Sequence, residues 1–361
     1  MAPGMNILHL GSFHGTLDAD LVDAFVGLGH TVFTTSYWAD PAAPLASEHA
    51  LARAPALPRP PADLLAAFRR ANPRHAPHQF VAIPDELVEW ADVVVWAHCC
   101  PCPDILFRNW PVVGRRPVVA YTYAQQGPEV EGALGELKRL AGPRLLLVRN
   151  SPRENRLPRF AGRDAVVRTA VDEVWFDGWT GPPPGQPAFV LTFQNHYRYR
   201  ASVSNTGAYE AAVRLSGLPA ALYGAESREA PTYAGMASAA EQLGYYRRCA
   251  AYFALGSKPA TLTYNLIEAM LVGCPVVTWG AALGDDGSGT YEAPHLFRHG
   301  EHLLFAEDAA EAARGLRWCA ENPTEAREMG RRARAEASKY FGRAVNSAAW
   351  ADVLNRAARA A

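Results

Sequence analysis

Short apolar runs alternate with segments of helical periodicity along most of the chain. The first run, residues 5–10, is closed by a glycine-containing loop, and residues 17–28 then carry apolar positions at helical spacing. Further runs rich in β-branched residues predict strands at residues 31–35, 92–97, 117–121 and 144–148. Continuous apolar strands that alternate with helices indicate a parallel sheet covered on both faces.

The same alternation begins again after a segment rich in proline and glycine, residues 178–187 (GWTGPPPGQP). The second series predicts strands at 188–193, 220–223, 250–255 and 274–279, and helices at 207–216, 237–247, 266–272, 309–320 and 324–340. We therefore predict two doubly wound domains that face a cleft. Their bounds are an N-terminal domain at 1–178, a linker at 179–187, a C-terminal domain at 188–340, and a helix within 341–361 that packs back toward the N-terminal domain.

Composition narrows the class of protein. Of the 361 residues, 49% are hydrophobic and 20% are charged, with 35 basic against 36 acidic residues, which excludes a disordered chain and a uniformly basic nucleic-acid clamp. No apolar run approaches the roughly 18 to 20 residues of a membrane span, and the first residues do not have the pattern of a signal peptide. We expect a soluble cytoplasmic protein, and the sequence does not determine its oligomeric state.

Three of the six cysteines cluster in His98-Cys99-Cys100-Pro101-Cys102. A structural metal site requires a second pair of ligands elsewhere, and no matching Cys/His pair follows downstream. We therefore predict no metal site.

The first glycine loop, residues 11–15, follows a predicted strand and precedes a predicted helix. Gly11 and Ser12 are candidates for contact with a phosphate at the helix N-terminus. The loop does not spell GxGxxG, and no acidic residue ends the second strand, which argues against a nicotinamide-dependent dehydrogenase. The alternative interpretation is a tight turn.

A more specific candidate site lies at residues 256–270 (GSKPATLTYNLIEAM), where a strand end leads through a polar loop into a helix. The backbone N–H groups of Thr263, Tyr264 and Asn265 open that helix, and its dipole favours a diphosphate there. Glu268 lies one turn further and can accept hydrogen bonds from both hydroxyls of a ribose. The alternative places Glu268 on a solvated helix surface, but its neighbours in sequence are apolar.

The run SKPATLTYNLIEAMLVGCPVV (257–277) resembles the C-terminal signature of the retaining glycosyltransferases of family four, the glycosyl transferases group 1. The resemblance implies an α/β protein of the GT-B fold, with two Rossmann-like domains. It also implies transfer of a hexose or pentose from a nucleotide-diphosphate sugar to a hydroxyl acceptor, with retention of configuration. Neither a cofactor nor an obligatory metal is expected.

The resemblance also assigns roles to individual residues. Lys258 and Arg198, or Arg200 in its place, would stabilise charge on the leaving diphosphate. His98, at the end of a predicted strand of the N-terminal domain, is a candidate for contact with the sugar or the acceptor, and the alternative is a satisfied polar residue beside a turn. The signature departs from the family at Ala260, where the family has a sugar-contacting glutamate, and at Tyr123, where a histidine is common. A GT-B binding protein and a sugar-nucleotide epimerase therefore stay open as alternatives.

The acceptor prediction rests on local charge. Residues 138–168 contain nine basic residues against Glu154 and Asp164, and Arg153 and Arg156 are the candidate acceptor-binding residues. A weaker resemblance links the signature to phage-borne enzymes that glycosylate hydroxymethylated bases, so DNA in a phage-infected bacterium is the first acceptor considered. The alternatives are a solvated arginine-rich face, or an acceptor that is a small molecule, a lipid or a polysaccharide.

Overall fold

The computed structural model describes residues 4–11, 15–36, 60–73, 81–98, 104–123, 126–171 and 178–360. The chain divides into two compact units. The first unit comprises residues 1–170 and 343–361, and the second comprises residues 171–342. Among the described residues, no helix has the length and apolarity that crossing a membrane requires.

The first unit is built on a six-stranded parallel sheet in the order β2-β1-β3-β4-β5-β6. The middle strands are buried because both faces of the sheet are covered, which explains their continuous apolar sequences. The strands are β1 (Asn6–Leu10), β2 (Thr31–Thr34), β3 (Val93–His98), β4 (Val118–Thr122), β5 (Leu145–Arg149) and β6 (Ala165–Val166).

Helices of the first unit connect successive parallel strands. The described helices are α1 (Gly15–Gly27), α2 (Ala62–Ala71), α3 (Asp85–Trp90), α4 (Asp104–Val113) and α5 (Pro128–Ala141). Short 3₁₀ turns follow at Gly142–Arg144 and Pro152–Arg156. The last helix of the chain, which we label α14 (Arg343–Ala358), also belongs to this unit. Its Trp350 packs edge-to-face on Phe25 and on Tyr121, with ring centroids 5.1 Å apart in each case.

The second unit has a six-stranded parallel sheet in the order β12-β11-β10-β7-β8-β9. This is the doubly wound order. The chain adds β8 and β9 on one side of β7, and then adds β10, β11 and β12 on the other side. The strands are β7 (Val190–Phe193), β8 (Ala220–Tyr223), β9 (Tyr233–Gly235), β10 (Ala251–Ala254), β11 (Val276–Trp279) and β12 (Leu304–Ala306).

Eight helices of the second unit lie between and beyond these strands in the described part of the chain. They are α6 (Ala201–Ser204), α7 (Thr206–Ser216), α8 (Ala239–Arg248), α9 (Tyr264–Val272), α10 (Ala281–Gly284), α11 (Ala293–Leu296), α12 (Ala309–Glu321) and α13 (Pro323–Phe341). The prediction of an α/β fold with two doubly wound parallel sheets is confirmed.

The segment predicted as a linker, residues 179–187, belongs to the second unit, so the units divide at residue 171 rather than within it. Trp179 is the physical reason. Its side chain is buried, its indole Nε1 donates to the Cys249 carbonyl at 2.8 Å, and its backbone N–H donates to the Val272 carbonyl. The Arg327 guanidinium covers the ring at 5.5 Å. Trp179 therefore fixes residues 179–187 to the second unit, although their proline and glycine content indicated a linker between domains.

Candidate functional site

The doubly wound order of the second sheet places a crevice where β7 and β10 lie side by side, because the chain leaves these two strands in opposite directions. Phe193 ends β7 and Ala254 ends β10. Ligands of open α/β sheets bind at such carboxyl edges. The candidate residues of the second unit follow these two strand ends.

The loop after β10 is held from both sides. On one side, the Lys258 N–H donates to the Val203 carbonyl at 2.9 Å, and the Ser204 hydroxyl donates to the Gly256 carbonyl at 3.1 Å. On the other side, the Thr290 hydroxyl donates to the Pro259 carbonyl at 2.8 Å. These contacts join the Lys258 loop to α6, the helix that directly follows Arg198 and Arg200.

Three cations follow the two strands. Arg198 is exposed, whereas Arg200 and Lys258 are half-buried. None of the three forms an ion pair within the part of the chain that the structure describes. Unpaired cations at the edge of a crevice raise the local concentration of anions and favour their binding.

The loop ends at the N-terminus of α9. Thr263 is the N-cap residue in an extended conformation, its side chain makes no capping hydrogen bond, and the first turn holds no acidic residue. The opening N–H groups of a helix have no intrahelical acceptor, and they carry the positive end of the helix dipole. Thr263, Tyr264 and Asn265 therefore open a helix whose N-cap side chain makes no capping hydrogen bond, which suits an anionic ligand.

Glu268 lies one turn into α9 and is 7% exposed. The Tyr246 hydroxyl donates to its Oε2 atom at 3.0 Å. The solvated position that the sequence left open is therefore excluded. A buried carboxylate is costly unless hydrogen-bond donors satisfy it, and the Tyr246 hydroxyl is one such donor.

Ala260, at the position of the family's sugar-contacting glutamate, is buried beside the same loop. With Ser257 and Thr263 it lines a small cavity that is also bordered by Tyr291. The structure therefore places a methyl group where the resemblance expects a carboxylate.

The predicted residues thus separate into two groups. Lys258, Arg198, Thr263, Tyr264, Asn265 and Glu268 follow neighbouring strands of the second sheet. Gly11, Arg153 and Arg156 belong to the first unit. Ser12 and the cysteines at 99, 100 and 102 lie outside the described residues, and His98 is described only as the last backbone position of β3. Within the described residues, no group of three or more His, Cys, Asp or Glu side chains suits a metal.

Gly11 has a packing role in the structure. A Cβ atom at this position would overlap the Ser36 hydroxyl, which donates to Asp18 Oδ2 at 2.6 Å. Asp18 is buried in the first turn of α1, and His9 lies 3.7 Å from its other oxygen. The close approach of Ser36 therefore accounts for the glycine, and contact with a phosphate stays a prediction.

A buried polar network lies at the carboxyl ends of β4 and β5. Arg149 is fully buried and makes two hydrogen bonds to the Glu131 carboxylate, at 2.6 and 3.0 Å. Glu154, also fully buried, accepts from the Thr122 hydroxyl at 2.7 Å, from Gln126 Nε2 at 3.1 Å and from the Ser151 N–H at 3.0 Å. One cation therefore faces two carboxylates.

This network corrects the charge count of residues 138–168. Arg149 is internal, Lys138 pairs with Asp164 at 2.8 Å, and Arg139 pairs with Glu136 at 3.1 Å. Sequence reasoning missed the pairs of Arg149 and Arg139 because their partners, Glu131 and Glu136, precede the counted segment. The exposed basic side chains of the loop after β5 are Arg156, Arg159 and Arg163, and Arg153 beside them is half-buried.

Glu154 predicts a pH dependence of stability. Burial outweighs the neighbouring Arg149 and the hydrogen-bond donors and raises the pKa of Glu154 to about 7. Between its ordinary pKa and pH 7 the folded state keeps a proton that the unfolded state has released. The free energy of unfolding should therefore fall by about 3 kcal/mol as pH rises across this window, and level off above it.

The measurement is denaturant unfolding between pH 4.5 and 8, with Glu154→Gln as the matched variant. The amide of this variant cannot titrate, so the stability of the variant should change less with pH. An unchanged pH slope in the variant would contradict the assignment.

The sequence profile described as "Glycosyl transferase-like" (Glyco_trans_1_2) matches residues 207–348. No curated protein sequence matches the chain. Among solved structures, a glycosyltransferase from Rickettsia africae ESF-5 is 11% identical with a TM-score of 0.67, over 98% of each chain. Anabaena Alr3699/HepE in complex with UDP and glucose is 15% identical with a TM-score of 0.65, over 97% of this chain and 99% of that one.

A third similar structure is AviGT4, a glycosyltransferase involved in avilamycin A biosynthesis. It is 13% identical with a TM-score of 0.54, over 99% of each chain. The class that this fold defines is GT-B, the fold of these glycosyltransferases. The matched profile covers residues 207–348, a range that includes the loop and helix that carry Lys258 and Glu268.

Proposed function

We propose that the protein is a glycosyltransferase that binds a nucleotide-diphosphate sugar in its second unit. The observation that carries the proposal is the buried Glu268 one turn beyond the N-terminus of α9, whose first turn holds no acidic residue, at the carboxyl edge of a doubly wound sheet. The amides and Lys258 suit a diphosphate, and a carboxylate three residues further suits the ribose attached to it. The GT-B fold and the profile match over residues 207–348 support the same assignment.

The transfer needs no nucleophile from the protein. The bond between the sugar C1 and the phosphate oxygen breaks, and the diphosphate keeps the electron pair. The acceptor oxygen bonds to C1 on the same face, and its proton passes to the departing diphosphate, so configuration is retained. Lys258, Arg198 and the α9 amides stabilise the charge that grows on the diphosphate. His98 is the proposed contact to the sugar or acceptor, and no metal is required for this step.

The first test of the function is a donor screen. Calorimetry with UDP, GDP, CDP and ADP should show micromolar to millimolar binding of at least one diphosphate, and UDP is the first choice because Alr3699/HepE binds it. Incubation with the matching nucleotide sugars should then release the free diphosphate slowly.

Ala260 favours a second candidate function, a donor-binding protein without transfer, for which binding would occur without release. Absence of binding by all four diphosphates would contradict both functions.

Glu268 gives a prediction about donor affinity. Glu268→Gln removes the charge that accepts the ribose hydroxyls but keeps the shape of the side chain, so donor binding should weaken by about 1–3 kcal/mol. Calorimetry with the diphosphate found in the screen measures the loss, and thermal unfolding checks that the fold is intact. Unchanged affinity in a folded variant would remove Glu268 from the donor site.

The proposed acceptor carries phosphate, because Arg156, Arg159 and Arg163 are exposed together after β5 in the first unit. DNA that contains hydroxymethylated pyrimidines is the first acceptor to test, with unmodified DNA as the control that lacks the hydroxyl. A gain of hexose or pentose mass on the modified DNA alone is the expected result. A phosphorylated lipid or sugar is the next acceptor to test if the DNA gains no mass.

The acceptor arginines give a prediction about salt. Arg153→Glu combined with Arg156→Glu should weaken acceptor binding. The steepness of the fall of log affinity with log salt should decrease by about two, because each arginine releases about one counterion from the phosphates. Diphosphate binding should not change. Arg314→Glu with Arg331→Glu, two exposed arginines of the second unit, is the control of equal charge. Equal weakening by both pairs would show a general charge effect instead of an acceptor site.

A further inference from the structure

Tyr246 occupies a position that the resemblance does not assign. It lies near the end of α8 and is 1% exposed. Its ring packs edge-to-face on Phe193, at a centroid distance of 5.1 Å, and on Tyr252, at 5.2 Å. Because Phe193 ends β7 and Tyr252 lies in β10, the ring is held by the two strands that border the crevice.

The carboxyl end of α8 is fixed independently. Cys249, the residue that follows α8, has its sulfur 3.3 Å from the sulfur of Cys274, which follows the end of α9. The Asn265 side chain at the other end of α9 donates to the Phe193 carbonyl at 3.4 Å. Tyr246 therefore projects from one fixed helix toward another, and its hydroxyl has little freedom to move.

The Tyr246 hydroxyl has one proton and two acceptors. Glu268 Oε2 lies 3.0 Å away, and the Asn265 carbonyl lies 3.1 Å away. A carboxylate is the stronger acceptor, because a hydrogen bond to a charged group is stronger than one to a neutral carbonyl. Burial and the charge of Glu268 raise the pKa of Tyr246 far above its ordinary value, so the phenol keeps its proton at any physiological pH.

We propose that Tyr246 is a positioning residue that fixes the Glu268 carboxylate for the two ribose hydroxyls of the donor. The inference rests on the proposed function, in which Glu268 binds the ribose. A carboxylate has about four lone-pair sites, so it can accept from the phenol on Oε2 and from a ribose in the same orientation. The phenol also prevents rotation of the carboxylate away from that orientation.

Tyr252 is the matched control for this proposal. It is a second buried tyrosine of the same aromatic cluster and lies near enough for the charge of Glu268 to act on it, but within the described residues no hydrogen bond joins its hydroxyl to the Glu268 carboxylate. Tyr252→Phe and Tyr246→Phe each remove one buried hydroxyl and keep the ring. If the two hydroxyls contribute only to packing, both variants should change donor binding similarly. If the Tyr246 hydroxyl positions Glu268, only Tyr246→Phe should change it.

The test compares the dissociation constants of UDP and 2′-deoxy-UDP, because their ratio reports on contact with the ribose 2′-hydroxyl. GDP and 2′-deoxy-GDP replace them if the donor screen selects guanosine. The wild-type protein should prefer the ribose form by about tenfold. Tyr246→Phe should reduce this preference by about threefold or more, and Tyr252→Phe should leave it unchanged. In turnover assays Tyr246→Phe should raise KM with little change in kcat, since the ribose contact exists before and during transfer.

The outcomes separate the positioning role from the function on which it rests. A Tyr246→Phe variant that keeps the wild-type preference while Glu268→Gln loses it would overturn the positioning role and leave the donor site in place. A wild-type protein with no preference for ribose would overturn the ribose assignment and the positioning role with it. In the Glu268→Gln background, Tyr246→Phe should cause no further loss of preference. A further loss there would mean that Tyr246 acts independently of Glu268.

Discussion

Lys258→Ala is expected to lower kcat on the order of 10²-fold, with a smaller effect on donor affinity. Lys258 is half-buried in the loop between β10 and α9, where its backbone N–H donates to the Val203 carbonyl, and this loop leads into the amides proposed to bind the diphosphate. Negative charge on the diphosphate increases as the bond to the sugar breaks, so a cation there stabilises the transition state more than the bound donor. Steady-state kinetics with calorimetry on the same preparation separates the two effects.

Lys339→Ala is the control for this variant, because it removes the same charge from an exposed helix position where the lysine pairs with Glu336 at 2.6 Å. It should not change kcat. If Lys258→Ala lowers affinity and kcat by equal factors, the lysine is a ground-state contact. If it changes neither, Lys258 is a solvated residue of the loop and the proposed role is wrong.

Arg149→Met is expected to reduce the free energy of unfolding by about 3–5 kcal/mol at pH 8. The fully buried guanidinium makes two hydrogen bonds to Glu131, lies 3.7 Å from Glu154, and covers the Phe160 ring at 4.6 Å. Methionine fills much of the same space but leaves two buried carboxylates without a cation, which is the costly way to break a buried ion pair.

Denaturant unfolding, together with hydrogen exchange at the amides of β4 and β5, measures this loss. The loss should be smaller at pH 5, where Glu154 is protonated in either protein, and Glu131→Gln should recover part of it in the double variant. Arg139→Met is the control, since its exposed pair with Glu136 contributes about 0–1 kcal/mol. Equal losses for Arg139→Met and Arg149→Met would contradict the role of the buried network.

The alternation of strands and helices was predictable because it depends on the local periodicity of apolar residues. Both buried parallel sheets produce continuous apolar runs, and the structure has strands where the sequence predicted them, for example at β3, β5, β10 and β11. The loop and helix around Glu268 were equally predictable, since a strand end, a polar loop and an apolar helix follow one another within 20 residues. The helices α2 to α5 were not predicted individually from the sequence, whereas α14 lies within the helix predicted at 341–361.

Contacts between distant residues were decided only by the tertiary structure. Tyr246 meets Glu268 because α8 and α9 pack together, and Arg149 meets Glu131 because α5 lies against the end of β5. Nothing in the local sequence of either residue indicates its partner, since charge and burial depend on which strands and helices become neighbours. The sequence by itself determined the two parallel sheets and the position of Glu268 on an early helix turn. The tertiary structure decided that Glu268 is buried beneath a phenol, that Arg149 is internal, and that Trp179 anchors a segment whose composition indicated a linker, because each depends on a partner far away in the chain.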